Sequence, residues 1–141
     1  MTLSTFTATG QAGLPGSAAY RPGVCNIGPE EIARRRRAGH VGVIVTVAAL
    51  LVLVAIGASP LARLLVALPA AVAASGYLQA WLRFCAGFGS RGVFNFGPLG
   101  RTEAVPDDDA RRLDRRRSRD IGLAAAAIGL AVGVLAVLLP I

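Results

Sequence analysis

The sequence predicts an all-α integral membrane protein, in which a transmembrane helical hairpin is followed by a third transmembrane helix. Of its 141 residues, 54% are hydrophobic, and most of these fall in three blocks at residues 41–57, 61–82 and 121–139. As helix, 17–22 residues span roughly 26–33 Å, which is the thickness of a bilayer core. Because no block alternates polar and apolar residues, none fits a half-buried strand.

The segments before the first block are polar. Residues 1–20 are rich in Thr, Ser, Gly and Ala, without the basic start and apolar run of a secretory signal, and predict a flexible tail. Residues 21–38 predict a turn and a short basic interfacial helix. Pro29 suits the first helical position, the two glutamates after it suit the first turn, and the arginines at 34–37 suit the last turn.

The middle and end of the chain divide by composition. The first two apolar blocks are separated only by residues 58–60, so residues 39–82 predict a transmembrane hairpin. Residues 83–105 mix glycine with phenylalanine and predict a cytoplasmic loop that is poor in helix. Residues 106–120 predict a charged helix, and residues 121–139 the third transmembrane helix.

Paired charges are expected at the start of the charged helix. Asp107 and Asp108 each have an arginine four residues on, at Arg111 and Arg112. Such spacing places opposite charges on one helix face. The three consecutive aspartates are therefore interpreted as a helix start.

The arginines predict the orientation. Fourteen of the fifteen flank the predicted hairpin on one side or lie between the second and third blocks, whereas Arg63 alone lies near the hairpin turn, where it is expected to snorkel. The positive-inside rule then places the N-terminus and residues 83–120 in the cytoplasm and the C-terminus outside. Since orientation accounts for the arginines, nucleic acid is not an expected partner.

A short motif occurs twice. Gly-Val-Cys-Asn-Ile-Gly-Pro at 23–29 and Gly-Val-Phe-Asn-Phe-Gly-Pro at 92–98 agree at five of seven positions. Asparagine braces turns through its side chain, glycine permits them and proline starts the next helix. The two turns are expected to meet at the cytoplasmic end of the hairpin, unless the repeat is coincidental. The shared positions are Gly23, Asn26, Gly28 and Pro29 in the first copy and Gly92, Asn95, Gly97 and Pro98 in the second.

Few residues have the pattern of a reaction centre. Cys25 and Cys85 form a candidate thiol pair, although buried, inert cysteines explain them as well. With His40 they lack the spacing of a metal site, so neither metal nor cofactor is expected. The apolar blocks hold no Asp, Glu or Lys, which argues against a pump.

Two further sets of residues have candidate roles. Ala125, Gly129 and Gly133 form a small-residue stripe suited to close helix packing, in this protomer or with a neighbour. Two arginine clusters are expected to contact anionic lipid head groups. These clusters comprise Arg34, Arg35, Arg36 and Arg37, and Arg115, Arg116 and Arg117.

Residues 26–97 resemble a known family. The matching positions are Asn26-Ile27-Gly28, the arginines at 34–35, Gly39, Phe84-Cys85 at the end of the second helix, and the segment 92–95. This pattern is similar to that of a small two-helix inner-membrane domain of unknown function. That domain occurs alone or behind a rhodanese sulfurtransferase domain in bacteria. The resemblance implies a bacterial plasma (inner) membrane location. This chain departs from the pattern at Phe96, where a second cysteine is expected, and adds a third helix.

Three functions agree with these patterns. The first is a small non-catalytic membrane protein, a structural or accessory subunit that assembles with itself or with a larger membrane complex. The second is a membrane protein that handles thiols or sulfur through its two cysteines. The third is a membrane-anchored basic module that binds anionic lipid.

Overall fold

The computed structural model of the protein describes residues 19–141, which are mostly helical. All but the last two residues of the predicted tail lie outside the described residues. Helix α2 packs against both α1 and α4, and α3 packs against α4. In chain order the elements are α1 (Pro29–Ala55), a 3₁₀ segment (Pro60–Val66), α2 (Ala67–Leu82), α3 (Ala86–Arg91), β1 (Val93–Phe94), β2 (Glu103–Ala104) and α4 (Asp108–Leu138).

Helix α1 is a single helix of 27 residues. The short basic helix predicted within residues 21–38 and the first apolar block are continuous, rather than two elements. Between them only Gly39 is a poor helix former. Its lack of a side chain is used in packing, because an added Cβ would lie 3.0 Å from the ring of Tyr77. The helix ends near Gly57, whose φ of +66° turns the chain.

The second apolar block begins as a 3₁₀ helix and continues as α2. Ser59 Oγ accepts a hydrogen bond from Ala62 N at 3.3 Å, and Pro60 occupies the first helical position, where no N–H is needed. Gly39 lies against Gly76 in α2, and Gly42 lies against Ala73. This order shows that α1 and α2 are antiparallel, as expected for a hairpin.

Residues 83–105 contain more regular structure than predicted. Instead of a loop poor in helix, they form α3 and an antiparallel two-residue strand pair, with Val93 opposite Ala104. Glycine at position 89 allows α3 to pack closely against α4, because a Cβ on Gly89 would collide with the Ser118 hydroxyl of α4. The close approach of the two helices compensates for the low helix propensity of glycine.

The charged segment and the third apolar block form one helix, α4, of 31 residues. At about 1.5 Å per residue its length is about 46 Å, so it extends well beyond a bilayer core. Asp107 caps the helix by accepting a hydrogen bond from Ala110 N at 3.0 Å. The interpretation of the aspartates as a helix start is therefore correct.

The expected ion pairs of this helix differ from those observed. Arg111 lies 3.7 Å from Asp108, and Arg112 lies 3.5 Å from Asp109. The pairs are thus spaced by three residues, and the predicted spacing of four was wrong. Because Asp107 is the cap, it lies outside the helix and its carboxylate is occupied by a backbone N–H.

Small residues face inward and large apolar residues face outward in all three long helices. A Cβ added to Gly42 would lie 2.7 Å from Ala73 Cα, and one added to Gly129 would lie 2.6 Å from the backbone oxygen of Ala67. Ala125, Gly129 and Gly133 are buried on one face of α4. The exposed large residues include Ile44, Leu51, Leu68, Val72, Leu130 and Leu135.

The described chain therefore has three helices that are long and apolar enough to cross a membrane, at Pro29–Ala55, Pro60–Leu82 and Asp108–Leu138. Of their most apolar 18-residue stretches, only 11%, 33% and 28% of residues are buried. A soluble protein buries its large apolar side chains instead. The prediction of three long apolar helices is confirmed.

Candidate functional site

The two repeated turns lie side by side at the arginine-rich end of the hairpin. Ile27 and Asn95 form a parallel bridge. Gly28 N donates to Asn95 O at 2.8 Å, and Asn95 N donates to Asn26 O at 2.9 Å. A Cβ on Gly28 would lie 2.9 Å from Phe96 Cα, so only glycine allows the two segments to approach this closely. The structure thus joins the two copies by backbone hydrogen bonds.

Asn26 connects the first turn to the end of α2. Its side chain is fully buried, donates to Cys85 O at 3.1 Å and accepts from Cys85 N at 2.6 Å. Its backbone N donates to Arg83 O at 3.2 Å. The backbone N–H of the buried Cys85 therefore depends on the asparagine side chain, whereas its carbonyl also accepts from Gly89 N at 2.9 Å.

Asn95 has a different role, so the copies are not equivalent. Its side chain braces its own turn, accepting from Gly97 N at 2.9 Å and donating to Pro98 O at 3.0 Å. What the copies do share is a left-handed first glycine, with φ of +67° at Gly23 and +70° at Gly92. That conformation favours glycine, which explains its presence at the start of both copies.

A buried carboxylate lies behind these turns. Glu31 is 1% exposed and lies 3.8 Å from Arg34 and 3.7 Å from Arg35. Asn95 Nδ2 also donates to it, at 3.4 Å. Glu31 lies in the first helical turn, as its position after Pro29 predicted, but its burial could not be expected from that position. The spacing to arginines three and four residues on was the available signal.

The two cysteines occupy different environments. Cys85 is 1% exposed, packs with Ile27 and Phe88, and accepts a hydrogen bond from Arg35 Nη2 at 2.8 Å. Cys25 is half-buried and lines an open groove beside α1. Both are free thiols. The structure therefore brings their backbones to one region through Asn26 without joining the thiols.

A second buried carboxylate anchors the chain before the first turn. Asp114 of α4 is fully buried, and accepts from Tyr20 Oη at 2.7 Å and from Gly23 N at 2.7 Å. Burial and the adjacent Asp114 carboxylate raise the pKa of Tyr20. The Tyr20 ring also stacks on Phe94 at 4.8 Å. The tail predicted to extend to residue 20 is thus held in place at its end, and the importance of Asp114 was missed.

The proposed head-group arginines are not alike. Arg34, Arg36 and Arg37 are exposed, whereas Arg35 turns inward toward Cys85 and Phe88. In the second cluster Arg115 and Arg116 are exposed, and Arg117 is half-buried. Arg35 is consequently a structural residue rather than an available head-group contact.

Arg63 has a different environment from the one that its position predicts. Instead of snorkelling outward, it is 5% exposed, and Nη1 donates to Leu139 O at 3.1 Å, while Nη2 donates to Ile141 O. It thereby binds the backbone oxygens of two residues that follow the end of α4. An arginine can be buried here because these backbone oxygens replace water as its partners.

The groove beside α1 lies at the arginine-rich end and has a volume of about 800 Å³. It lies between the first turn, the start of α1 and the end of α2. Within residues 19–141 no group of three or more His, Cys, Asp and Glu side chains is placed to hold a metal ion. His40 instead hydrogen-bonds Tyr77 through Nδ1.

Comparison of the chain with protein-family models, curated proteins and solved structures gives no match. The resemblance to the two-helix inner-membrane domain therefore stays a prediction. The fold and the site define a class of protein: its described part has three helices long and apolar enough to cross a membrane, with a hydrogen-bonded double turn at its basic end.

Proposed function

We propose that this is a small multi-pass protein of the bacterial plasma (inner) membrane that acts without catalysis, as a structural or accessory subunit of a membrane assembly. The inward small residues and outward large apolar residues support this most directly. Water opposes such exposure by about 25 cal/mol per Å² of apolar surface, whereas lipid does not.

The distribution of charge supports an orientation with the N-terminus in the cytoplasm and the C-terminus outside. The start of α1, the end of α2 and the first half of α4 carry the arginines and lie together. Arg63 lies at the opposite end, against Leu139. Arginine is retained on the cytoplasmic side during insertion.

Reporter fusions test the membrane proposal. We expect fusions after Ser59, Gly100 and Ile141 to read outside, inside and outside. A cytoplasmic reading after Ile141 would contradict the third crossing, and a soluble protein in all three fusions would contradict the proposal as a whole.

The subunit role rests on the outward faces. The stripe at Gly129 and Gly133 packs against Ala67 within the protomer, so it is not free for a neighbour. A partner helix would have to contact exposed large residues such as Leu51 of α1 and Leu135 of α4, which are 64% and 63% exposed.

Cysteine crosslinking in native membranes tests the subunit role. Leu51→Cys and Leu135→Cys are each made in a chain in which Cys25 and Cys85 are alanine, with Ala136→Cys as the buried control. A crosslinked species from at least one exposed position is expected, and none from the control. Only monomer at both exposed positions would contradict the subunit role while leaving the topology unaffected.

Thiol chemistry is the second candidate, because Cys25 lines a groove that also contains Arg21 and Arg36. Nearby cations favour the thiolate, the reactive form. The rate of alkylation of Cys25 in the Cys85→Ala chain, measured at one pH with and without Arg21→Ala and Arg36→Ala, tests this. We expect alkylation to slow when the arginines are removed. An unchanged rate would exclude a thiol activated by these arginines.

A further inference from the structure

The groove beside α1 combines three arginines from three separate parts of the chain. Arg21 comes from the segment just before the first turn, Arg36 from α1 and Arg83 from the end of α2. All three are exposed residues. Among residues 19–141 none of them makes an ion pair with a carboxylate, unlike Arg34 and Arg35. The groove is thus a concentration of positive charge whose partner is not a residue of the described chain.

Arg83 occupies a backbone position that favours glycine. With φ of 54° and ψ of 38°, it is the only residue other than glycine with positive φ in the described chain. Glycine is usual at such a helix end because a Cβ is unfavourable there. Backbone outliers of this kind often mark positions where the side chain has a function.

The remaining walls of the groove are apolar and aromatic. They include Ala80, Ile32 and Trp81, and the Trp81 side chain is 80% exposed. Tryptophan is enriched where hydrocarbon meets the polar head groups of a bilayer. From here the exposed apolar faces of α1 and α2 continue toward the hairpin turn. A ligand that fits both parts has an anionic head and long hydrocarbon chains.

We propose that the groove binds the phosphate head group of an anionic phospholipid, whose acyl chains lie along the outer faces of α1 and α2. The arginine side chains donate hydrogen bonds to the phosphate oxygens, and Trp81 packs against the upper part of an acyl chain. The proposal rests on the membrane location proposed above. It differs from a general basic surface in assigning the site to Arg21, Arg36 and Arg83.

Native mass spectrometry of the full chain in mild detergent tests the site. The protein is titrated with phosphatidylglycerol or with phosphatidylcholine of the same acyl chains. We expect one phosphatidylglycerol molecule to be retained in preference. Each arginine contributes about fivefold to its affinity, by the usual effect of one basic residue near anionic lipid.

The variants are Arg36→Ala and Arg83→Gly, with Arg101→Ala as the control of equal charge. Glycine suits the backbone at position 83, so loss of binding there is separable from misfolding. Helical content by circular dichroism checks that each variant folds. Arg101 is exposed and lies outside the groove. We expect each groove variant to lose about fivefold in phosphatidylglycerol affinity and the control to lose none.

Three results would overturn the proposal: equal retention of both lipids, an equal loss in Arg101→Ala, or equal losses for both lipids in the groove variants. Inorganic phosphate distinguishes a free anion from a lipid. If phosphate alone raises the melting temperature as much as phosphatidylglycerol does, the ligand is not a lipid. The reporter fusions are independent of all these outcomes, so failure of this site leaves the topology proposal intact.

Discussion

The bond between Asn26 and the backbone of Cys85 should be one of the largest single contributions to the stability of the polar end. Asn26→Ala removes one donor at 3.1 Å and one acceptor at 2.6 Å. Cys85 N is then left without an acceptor in a site that excludes water, since both residues are almost fully buried, whereas Cys85 O keeps its bond from Gly89 N at 2.9 Å. An unpaired buried group costs about 1–3 kcal/mol, so the free energy of unfolding should fall by about that amount.

The assay is reversible unfolding of the full chain in detergent, followed by circular dichroism. Thr46→Ala is the matched control. Thr46 Oγ1 donates to Gly42 O within α1 at 2.7 Å, and that carbonyl lies in the interior of the helix. Thr46→Ala should change the free energy of unfolding by no more than about 0.5 kcal/mol, because it leaves no backbone group unpaired.

A double-mutant cycle with Asn95→Ala extends the test to the paired turns. Because Asn95 N donates to Asn26 O, the two residues are in direct contact, and a coupling above about 0.5 kcal/mol is expected. A loss below about 0.5 kcal/mol for Asn26→Ala would refute the assigned role of the side chain. Additive effects would show that the two side chains stabilise their turns independently, since both variants retain the backbone bonds between the turns.

Two other predictions follow from helix packing and from titration. Gly129→Leu should lower the melting temperature, because an added Cβ meets the backbone of α2 and overpacking costs about 1–3 kcal/mol. Gly122→Leu is the control and should not lower it, because nothing lies within 4 Å of a Cβ at that position. Equal melting temperatures for the two variants would contradict the packing of α4. Since burial and Asp114 raise the pKa of Tyr20 above its unfolded value near 10, the protonated phenol stabilises the folded state below pH 10, and this contribution is lost as pH rises further. Wild type should therefore lose more stability than Tyr20→Phe between pH 9 and 11, and identical curves would refute the contact.

Local sequence was enough to predict several features of this chain. Runs of 17–22 apolar residues have few alternatives to a long helix, so the three helices could be predicted from composition. The cap at Asp107 is also local, since it depends on an N–H only three residues away. The resemblance between residues 23–29 and 92–98 indicated that the turns would pair, because similar turns at one end of a hairpin have the same geometry available.

Other features depend on partners far away in the sequence. Glu31 and Asp114 look like ordinary acidic residues of basic helices, yet both are buried. Their partners lie 64 residues away at Asn95 and 94 residues away at Tyr20. A local pattern has the same form whether the carboxylate faces water or protein, so burial could not be predicted from it.

The sequence by itself determined which segments are helical, where charge is concentrated and which face of α4 is lined with small residues. Those properties follow from side-chain size, charge and spacing within one element. Only the tertiary structure decided that Arg63 turns inward to Leu139 and that Arg35 donates a hydrogen bond to Cys85. It also decided that three other arginines line one groove. The physical reason is that an arginine side chain is long and flexible, and its direction depends on which acceptors the packing of other elements brings within reach.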